Sequence, residues 1–432
     1  MSSLSKSGLA LVTVMLLPLA SAMHALTPRP APPDPRTLTH PLHGLDAQLM
    51  KAVDDGDEAK ARALVKEGAS IRALGGEAII TASETRALYP DRKDHPLSLL
   101  SWLIAGGLDV NYASDAGYTP LMWAAFTGSA DAARILIEHG ARVNSHDKDG
   151  NTALMVAARV PCWEHGDMCF PKVARVLISN GAHLNETNSE GDTALLIVAN
   201  AAAVTASADD YVPHDYAAGE SSNAREYAQL LLNAGAKLDI SDEGGTTALR
   251  AACNARGSCK PWLASLLLDR GADPNLDVNG DSLLTMVARV DDYNADAPEK
   301  IDDDAAATAA ALIRHGANVN FQDDVGRTPL MYACNSTFLD GSVLICKRKL
   351  ANLLMEHGAS VNALDSEGNS ALMYLAGITS TAAINSADVP IAEALIAHEA
   401  NRGLKNKAGQ TALDIARKNK LKRLIKVLEG KP

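Results

Sequence analysis

What most constrains this chain is that it repeats itself. From about Leu42 onward one pattern returns: a Gly, a Thr-Pro-Leu or Thr-Ala-Leu, an Ala-rich stretch, a Leu/Ile-rich stretch, then Gly-Ala-x-x-Asn. The clearest copy runs Gly117-Tyr118-Thr119-Pro120-Leu121-Met122-Trp123-Ala124-Ala125, followed by Ala133 through Leu136 to Gly140-Ala141-Arg142-Val143-Asn144. Full units open at Gly117, Gly150, Gly191, Gly245, Gly280, Gly326 and Gly368. Two looser units precede them, around Asp46–Leu74 and Glu77–Asn111, and a cap follows from Gly409. No unit of this size can bury an apolar face alone, so neighbours must stack. Hydrophobic residues make up 47% of the 432 but aromatic ones only 4%, which favours thin, closely stacked helices over a thick core.

Each unit carries its own start and stop signals. Thr119-Pro120 starts a helix, because Thr can cap free N–H groups and Pro is tolerated in the first turn. The paired alanines let helices approach closely, and Gly140 ends the second helix where a left-handed residue is needed. This pattern resembles the ankyrin repeat, a unit of about 33 residues with a β-turn and two antiparallel helices. The resemblance covers nearly the whole mature chain. It implies an all-α repeat solenoid, an ankyrin-repeat stack with short β-hairpins, whose role is to bind another protein. One departure stands out: the fourth residue of the family's Thr-Pro-Leu-His signature is Met122, Met155, Met331 or Met373, and elsewhere Leu196, Arg250, Thr285 or Asp414. The family's His-mediated bonds between repeats are therefore expected to be missing, with Met packing in their place. Lys418 to Arg423 reads as a polar capping helix.

The opening glycines lie 33, 41, 54, 35, 46, 42 and 41 residues apart. The excess has one location. From the helix-ending position (Gly107, Gly140, Gly181, Gly235, Gly271, Gly316, Gly358, and Glu399 standing in for Gly) to the next Thr or Ser is 12 residues, or 11 once. The hairpin side is thus constant, and inserts fall between the two helices of most repeats, so they are expected to project from one edge. They read either as a second binding surface or as tolerated drift in loop length.

Three cysteine pairs share a register. Cys169, Cys259 and Cys346 each precede the helix-ending Gly by 12 residues, at the entrance to the second helix; their neighbours are Cys162, Cys253 and Cys334. Pairing across units is excluded, because two layers of about 10 Å exceed the disulfide Cα limit of about 6.8 Å. Three disulfides within repeats are expected in an exported chain. Two other readings stand: zinc, with His165 near Cys169 but too few ligands elsewhere, and buried thiols at Cys253 and Cys334.

The N-terminus reads as an export signal over residues 1–22: Lys6, an apolar run from Leu9 to Leu19, then Ala20-Ser21-Ala22. A retained membrane anchor is the competing reading. Residues 23–41 follow as a Pro-rich linker, and the repeats fill 42–432. The mature chain is expected to be periplasmic or secreted, without membrane insertion, and monomeric when free. A net charge of −12, from 52 acidic and 40 basic residues, together with the lack of a basic stripe, argues against nucleic acid.

No nucleophile, metal or phosphate signature has its proper context, so neither enzyme activity nor a cofactor is expected. The histidines before helix-ending glycines (His139, His315, His357) face the negative end of a helix dipole. What remains is a binding surface, placed by the resemblance along the hairpin tips and inner helices. At the tips stand Asp115, Tyr118, Asp149, Asn151, Glu190, Asp192, Glu243, Asp281, Asp324, Arg327, Glu367 and Asn369, an acidic set that suits a partner with a basic or mixed-charge surface. On the inner helix the contact position falls on Trp123, Tyr332 and Tyr374. Tyr112, Tyr118 and Trp123 are expected to share one concave groove, since Trp123 is turned about 200° from the core-facing Leu121; packing of these rings between repeats is the alternative. The expected function is binding that inhibits or scaffolds another exported protein. The alternatives are immunity against a secreted toxic enzyme such as a lipase, and an effector acting on host proteins.

Overall fold

In a computed structural model, the structure describes residues 42–83, 96–159, 171–204, 222–253, 260–275, 280–289, 298–335, 347–377 and 388–430. The expected signal peptide and linker, four of the six cysteines (Cys162, Cys169, Cys259, Cys346) and most insert residues lie outside them. Among the described residues there are twenty α-helices and no extended strand. The chain divides into two compact units, residues 1–198 with 219–245, and 199–218 with 246–432.

The first unit holds α1 (Gly44–Asp54), α2 (Glu58–Lys66), α3 (Glu77–Ala82), α4 (Leu97–Ala105), α5 (Pro120–Phe126), α6 (Ala130–Glu138), α7 (Ala153–Arg159), α8 (Pro171–Ser179), the start of α9 (Ala194–Val204) and α10 (Ser222–Asn233). The second holds α11 (Ala248–Cys253), α12 (Pro261–Asp269), α13 (Leu283–Arg289), α14 (Pro298–Arg314), α15 (Pro329–Ala333), α16 (Arg348–Glu356), α17 (Ala371–Ala376), α18 (Asp388–Ala397), α19 (Ala412–Lys418) and α20 (Lys422–Glu429). Within each unit like packs on like. In the first, α5 lies on α7 and α6 on α8; in the second, α13, α15 and α17 stack in turn, as do α12, α14 and α16. This is the expected all-α solenoid architecture.

The start signals act as read. The Thr119 hydroxyl accepts the Met122 N–H at 3.2 Å, and Pro120 occupies the first turn. The thioether of Met122 reaches back to accept the Thr119 N–H at 3.5 Å, and Met331 does the same for Thr328. In the last repeat Asp414 makes this bond with a carboxylate, at 2.9 Å. The Met residues therefore close the helix start as weak acceptors as well as filling space.

Packing is not the only substitute for the missing His bonds. The Asn of Gly-Ala-x-x-Asn clasps the next repeat with both ends of its amide. Asn320 Nδ2 donates to the Gly358 carbonyl at 3.0 Å, while its Oδ1 accepts the Ser360 N–H at 2.7 Å. Asn111, Asn144, Asn275 and Asn362 repeat the clasp.

The stop signals hold as well, with one revision. Gly140 has φ +90° and Glu399 sits in the same left-handed region at φ +66°. A side chain there is strained, so Glu399→Gly is expected to raise stability by about 1 kcal/mol, read from a urea unfolding curve; a lower midpoint would show that the Glu399 side chain stabilises this corner. The stretch from Lys418 to Arg423 is not one capping helix. The left-handed Lys420 (φ +59°) breaks it, so that α19 ends at Lys418 and α20 starts at Lys422.

Candidate functional site

The hairpin tips are built by one short-range device. A tip Asp or Asn accepts the backbone N–H groups two and four residues on: Asp147 from Asp149 and Asn151 at 2.9 and 2.7 Å, and Asp365 from Glu367 and Asn369 at 2.9 and 2.7 Å. Asn188 and Asp323 do likewise. The turn then closes on a glycine with positive φ. At Gly117 (φ +83°) an added Cβ would also come within 2.9 Å of the Asp147 Cα, because the next tip lies directly against it. Successive tips are tied by backbone bonds, Ser189 N–H to Asp149 O at 2.8 Å and Ser366 N–H to Val325 O at 2.9 Å.

In the first unit this leaves Asp115, Asp149 and Glu243 exposed, with Glu190 and Asp192 half-buried. In the second it leaves Asp324 and Glu367 exposed beside the apolar Val325 and Leu364. Two expected contact residues are instead part of the frame. Asn151 is buried, donating to Asp147 and accepting from Asn188 at 3.0 Å; Asn369 likewise accepts from Asn406 at 3.0 Å.

The aromatic groove expected in the first unit does not form. Trp123 is only 2% exposed, its ring 5.3 Å from that of Phe126. The turn of 200° from Leu121 exposes a residue only where a helix is covered on one side. Six of the seven residues of α5 are buried, so its whole circumference is covered. Tyr112 turns back toward α3: its hydroxyl donates to Glu77 at 2.6 Å, and its ring fills the space that a Cβ on Gly76 would need. Burial, then the Glu77 bond, pushes the Tyr112 hydroxyl well above its ordinary value. Tyr118 is half-buried.

The second unit brings its expected residues together. Tyr332 and Tyr374, one repeat apart in the same register, are half-buried and point at the tips. Tyr332 donates to Asp323 at 2.6 Å and Tyr374 to Asp365 at 2.5 Å. Arg327 stacks between them, its guanidinium carbon 5.7 Å from one ring centre and 5.3 Å from the other. Arg289 also lies over the Tyr332 ring, 4.5 Å from its centre, bonded to the Tyr332 hydroxyl at 2.9 Å and ion-paired with Asp281 and Asp323 at 2.7 and 3.1 Å. Burial, then the bonds to Asp323 and Asp365, raises both phenols. Burial also raises the Asp365 carboxyl, but the Tyr374 and backbone hydrogen bonds outweigh it and hold the group below the usual range. Sequence reasoning missed Arg289, whose partner Tyr332 is 43 residues away with no local signal to join them.

Among the histidines, the His139 ring meets the Ile135 carbonyl at the end of α6 at 2.8 Å, while His315 pairs with Asp269 at 3.1 Å. Among the described residues no group of three or more His, Cys, Asp or Glu could hold a metal, and no helix is long and apolar enough to cross a membrane.

A repeat stack with an ordered row of tips defines a class of protein. The family model described as ankyrin repeats matches residues 91–188 and 303–380, in three copies. The chain carries ankyrin repeats, which typically form a non-catalytic fold that mediates protein–protein interaction. It is similar to Dauer abnormal formation protein 25 of Caenorhabditis elegans, 36% identical over 115 residues, 26% of this chain and 28% of that protein. It is also similar to Ankyrin repeat, SAM and basic leucine zipper domain-containing protein 1 of Ornithorhynchus anatinus, 46% identical over 66 residues, 15% of this chain and 14% of that one. Ankyrin repeat-containing protein P1E11.10 of Schizosaccharomyces pombe is 39% identical over 54 residues, 12% of this chain and 26% of that one. The chain thus spans well under a third of the length of these relatives.

Proposed function

We propose that the chain is an exported module that binds another periplasmic or secreted protein along its hairpin tips and inhibits or scaffolds it. The observation that carries this reading is the tip turn: in each unit, capping by a tip Asp or Asn holds the following acid outward, at Asp149 in one and Glu367 in the other. Exposed carboxylates in a repeated row favour a partner with basic residues in its contact surface. Export rests on the N-terminal segment. With export goes pairing of Cys162 with Cys169, Cys253 with Cys259 and Cys334 with Cys346, and the burial of Cys253 and Cys334 suits short bridges inside a repeat.

The test is capture from a periplasmic extract by the mature chain, with affinity for the captured protein measured at low and high salt. Binding is expected to weaken as salt screens the tips, and the charge reversals Asp149→Lys and Glu367→Lys together should weaken it at least about tenfold. Capture of nothing, or a partner whose affinity ignores both salt and charge reversal, overturns the reading.

A further inference from the structure

The last repeat carries the opposite charge from the rest of the chain. Residues 400–432 hold ten of the 40 basic residues but only two of the 52 acids, so this stretch stands at +8 and the remainder at −20. The end of a repeat stack needs a polar cap, but either sign of charge would serve.

The positive charge is clustered and uncommitted. Lys418, Lys420, Lys422, Arg423 and Lys426 are all exposed. Successive residues turn about 100° around a helix, so Lys422, Arg423 and Lys426 share one face of α20, opposite the buried Leu424 and Leu428. Both acids of the stretch are engaged, Glu429 with Arg417 at 2.8 Å and Asp414 with the Thr411 N–H and hydroxyl at 2.9 and 2.7 Å. Lys418, Lys420, Lys422 and Lys426 make no ion pair among the described residues.

One of these lysines is kept at a cost. The corner between two helices closes on the same pair of backbone bonds in three repeats: Gly56 N–H to Val53 O with Asp57 N–H to Ala52 O, Gly128 to Ala125 with Ser129 to Ala124, and Lys420 to Arg417 with Leu421 to Ala416. The left-handed residue is glycine in the first two, at φ +65° and +77°, but Lys420 at φ +59° in the last. A side chain is strained there, and strain kept at an exposed point is a mark of function.

We propose that the corner from Lys418 to Arg423, with Lys426, docks the chain on an anionic phospholipid surface, resting on the headgroups without entering the bilayer. Two observations favour lipid over other polyanions. Lysine outnumbers arginine four to one in the cluster, and Lys is a point charge suited to a diffuse field of phosphates, whereas Arg suits paired recognition of one group. Residues 400–432 also contain no Phe, Trp or Tyr, so no ring is present to stack on a base or to anchor a protein hot spot. Screening beyond about 8–10 Å at physiological salt lets this local charge act despite the net −12. The proposal goes beyond the protein-binding reading and stands separately from it.

The mature chain, which keeps every described residue, is sedimented with vesicles of phosphatidylcholine alone or mixed equally with phosphatidylglycerol. Binding is expected on the anionic vesicles only, and to fall as salt rises. Exchanging Lys418, Lys420, Lys422 and Lys426 together for Gln should weaken it at least about tenfold, while the same exchange at the exposed Lys51, Lys60, Lys66 and Lys237 should change it less than about twofold. Lys420→Gly alone should weaken vesicle binding about threefold yet raise the melting midpoint, a combination that a purely structural lysine would not give. Melting curves confirm that the variants fold. No binding to anionic vesicles, equal binding to neutral ones, binding that survives the four exchanges at the corner, an equal loss from the four elsewhere, or tighter binding to duplex DNA at equal phosphate overturns the proposal. Capture of a protein partner is expected to be unchanged by the corner exchanges, so failure on vesicles leaves the protein-binding reading intact.

Discussion

Trp123→Ala is expected to lower the unfolding free energy by about 3–5 kcal/mol, the range for removing a large ring from a core. The ring is 2% exposed, rests against Phe126, and belongs to a helix with six buried residues out of seven. Alanine at 123 would leave a cavity between repeats that short helices tied by their tips can close only in part. Because stability in a repeat stack is a sum of local and nearest-neighbour contributions, the loss should appear in the transition of the first unit. Urea unfolding followed by circular dichroism measures it. A change under about 1 kcal/mol, the ordinary result for a surface site, would mean that Trp123 is open to a partner after all.

Tyr227→Ala should cost a similar amount, about 3–5 kcal/mol, for a second reason as well. Tyr227 on α10 is fully buried, and its hydroxyl donates to the Leu154 carbonyl at 2.6 Å. The two residues lie 73 positions apart within the first unit, so the bond joins helices that are far separated in the chain. Deleting the ring removes apolar contact and leaves that carbonyl without this donor. Tyr227→Phe separates the parts, since it keeps the ring and should cost only about 1–2 kcal/mol. If both substitutions cost the same, the hydroxyl dominates and the ring contributes little.

These residues mark where sequence reasoning works and where it stops. Thr119, Pro120, Gly140 and Glu399 could be read because capping and left-handed corners are decided within a few residues. Glu399 is the sharpest case: register alone puts a non-glycine at a helix-ending corner, and its φ is +66°. Trp123 was misread because a helical wheel assumes one wet side, whereas an inner helix between two repeats has little. Tyr112 turned toward Glu77, 35 residues upstream, and no spacing rule points there. The Asn clasps were visible as a repeated letter, but their partners belong to the next unit. In the second unit the Tyr332–Tyr374 register held because α15 and α17 leave that position half-open. The neighbouring Arg289 came from another repeat.

The clasp at Asn320 bears on how such a chain can change its length. An extra residue on the hairpin side would carry the amide about 3.3 Å along an extended backbone, out of reach of both Gly358 and Ser360, and would also break the bond between adjoining tips. An extra residue between the two helices disturbs neither. The clasp therefore works as a ruler on one edge and leaves the other edge unmeasured. A single codon added between Gly358 and Ser370 should break the register of the stack.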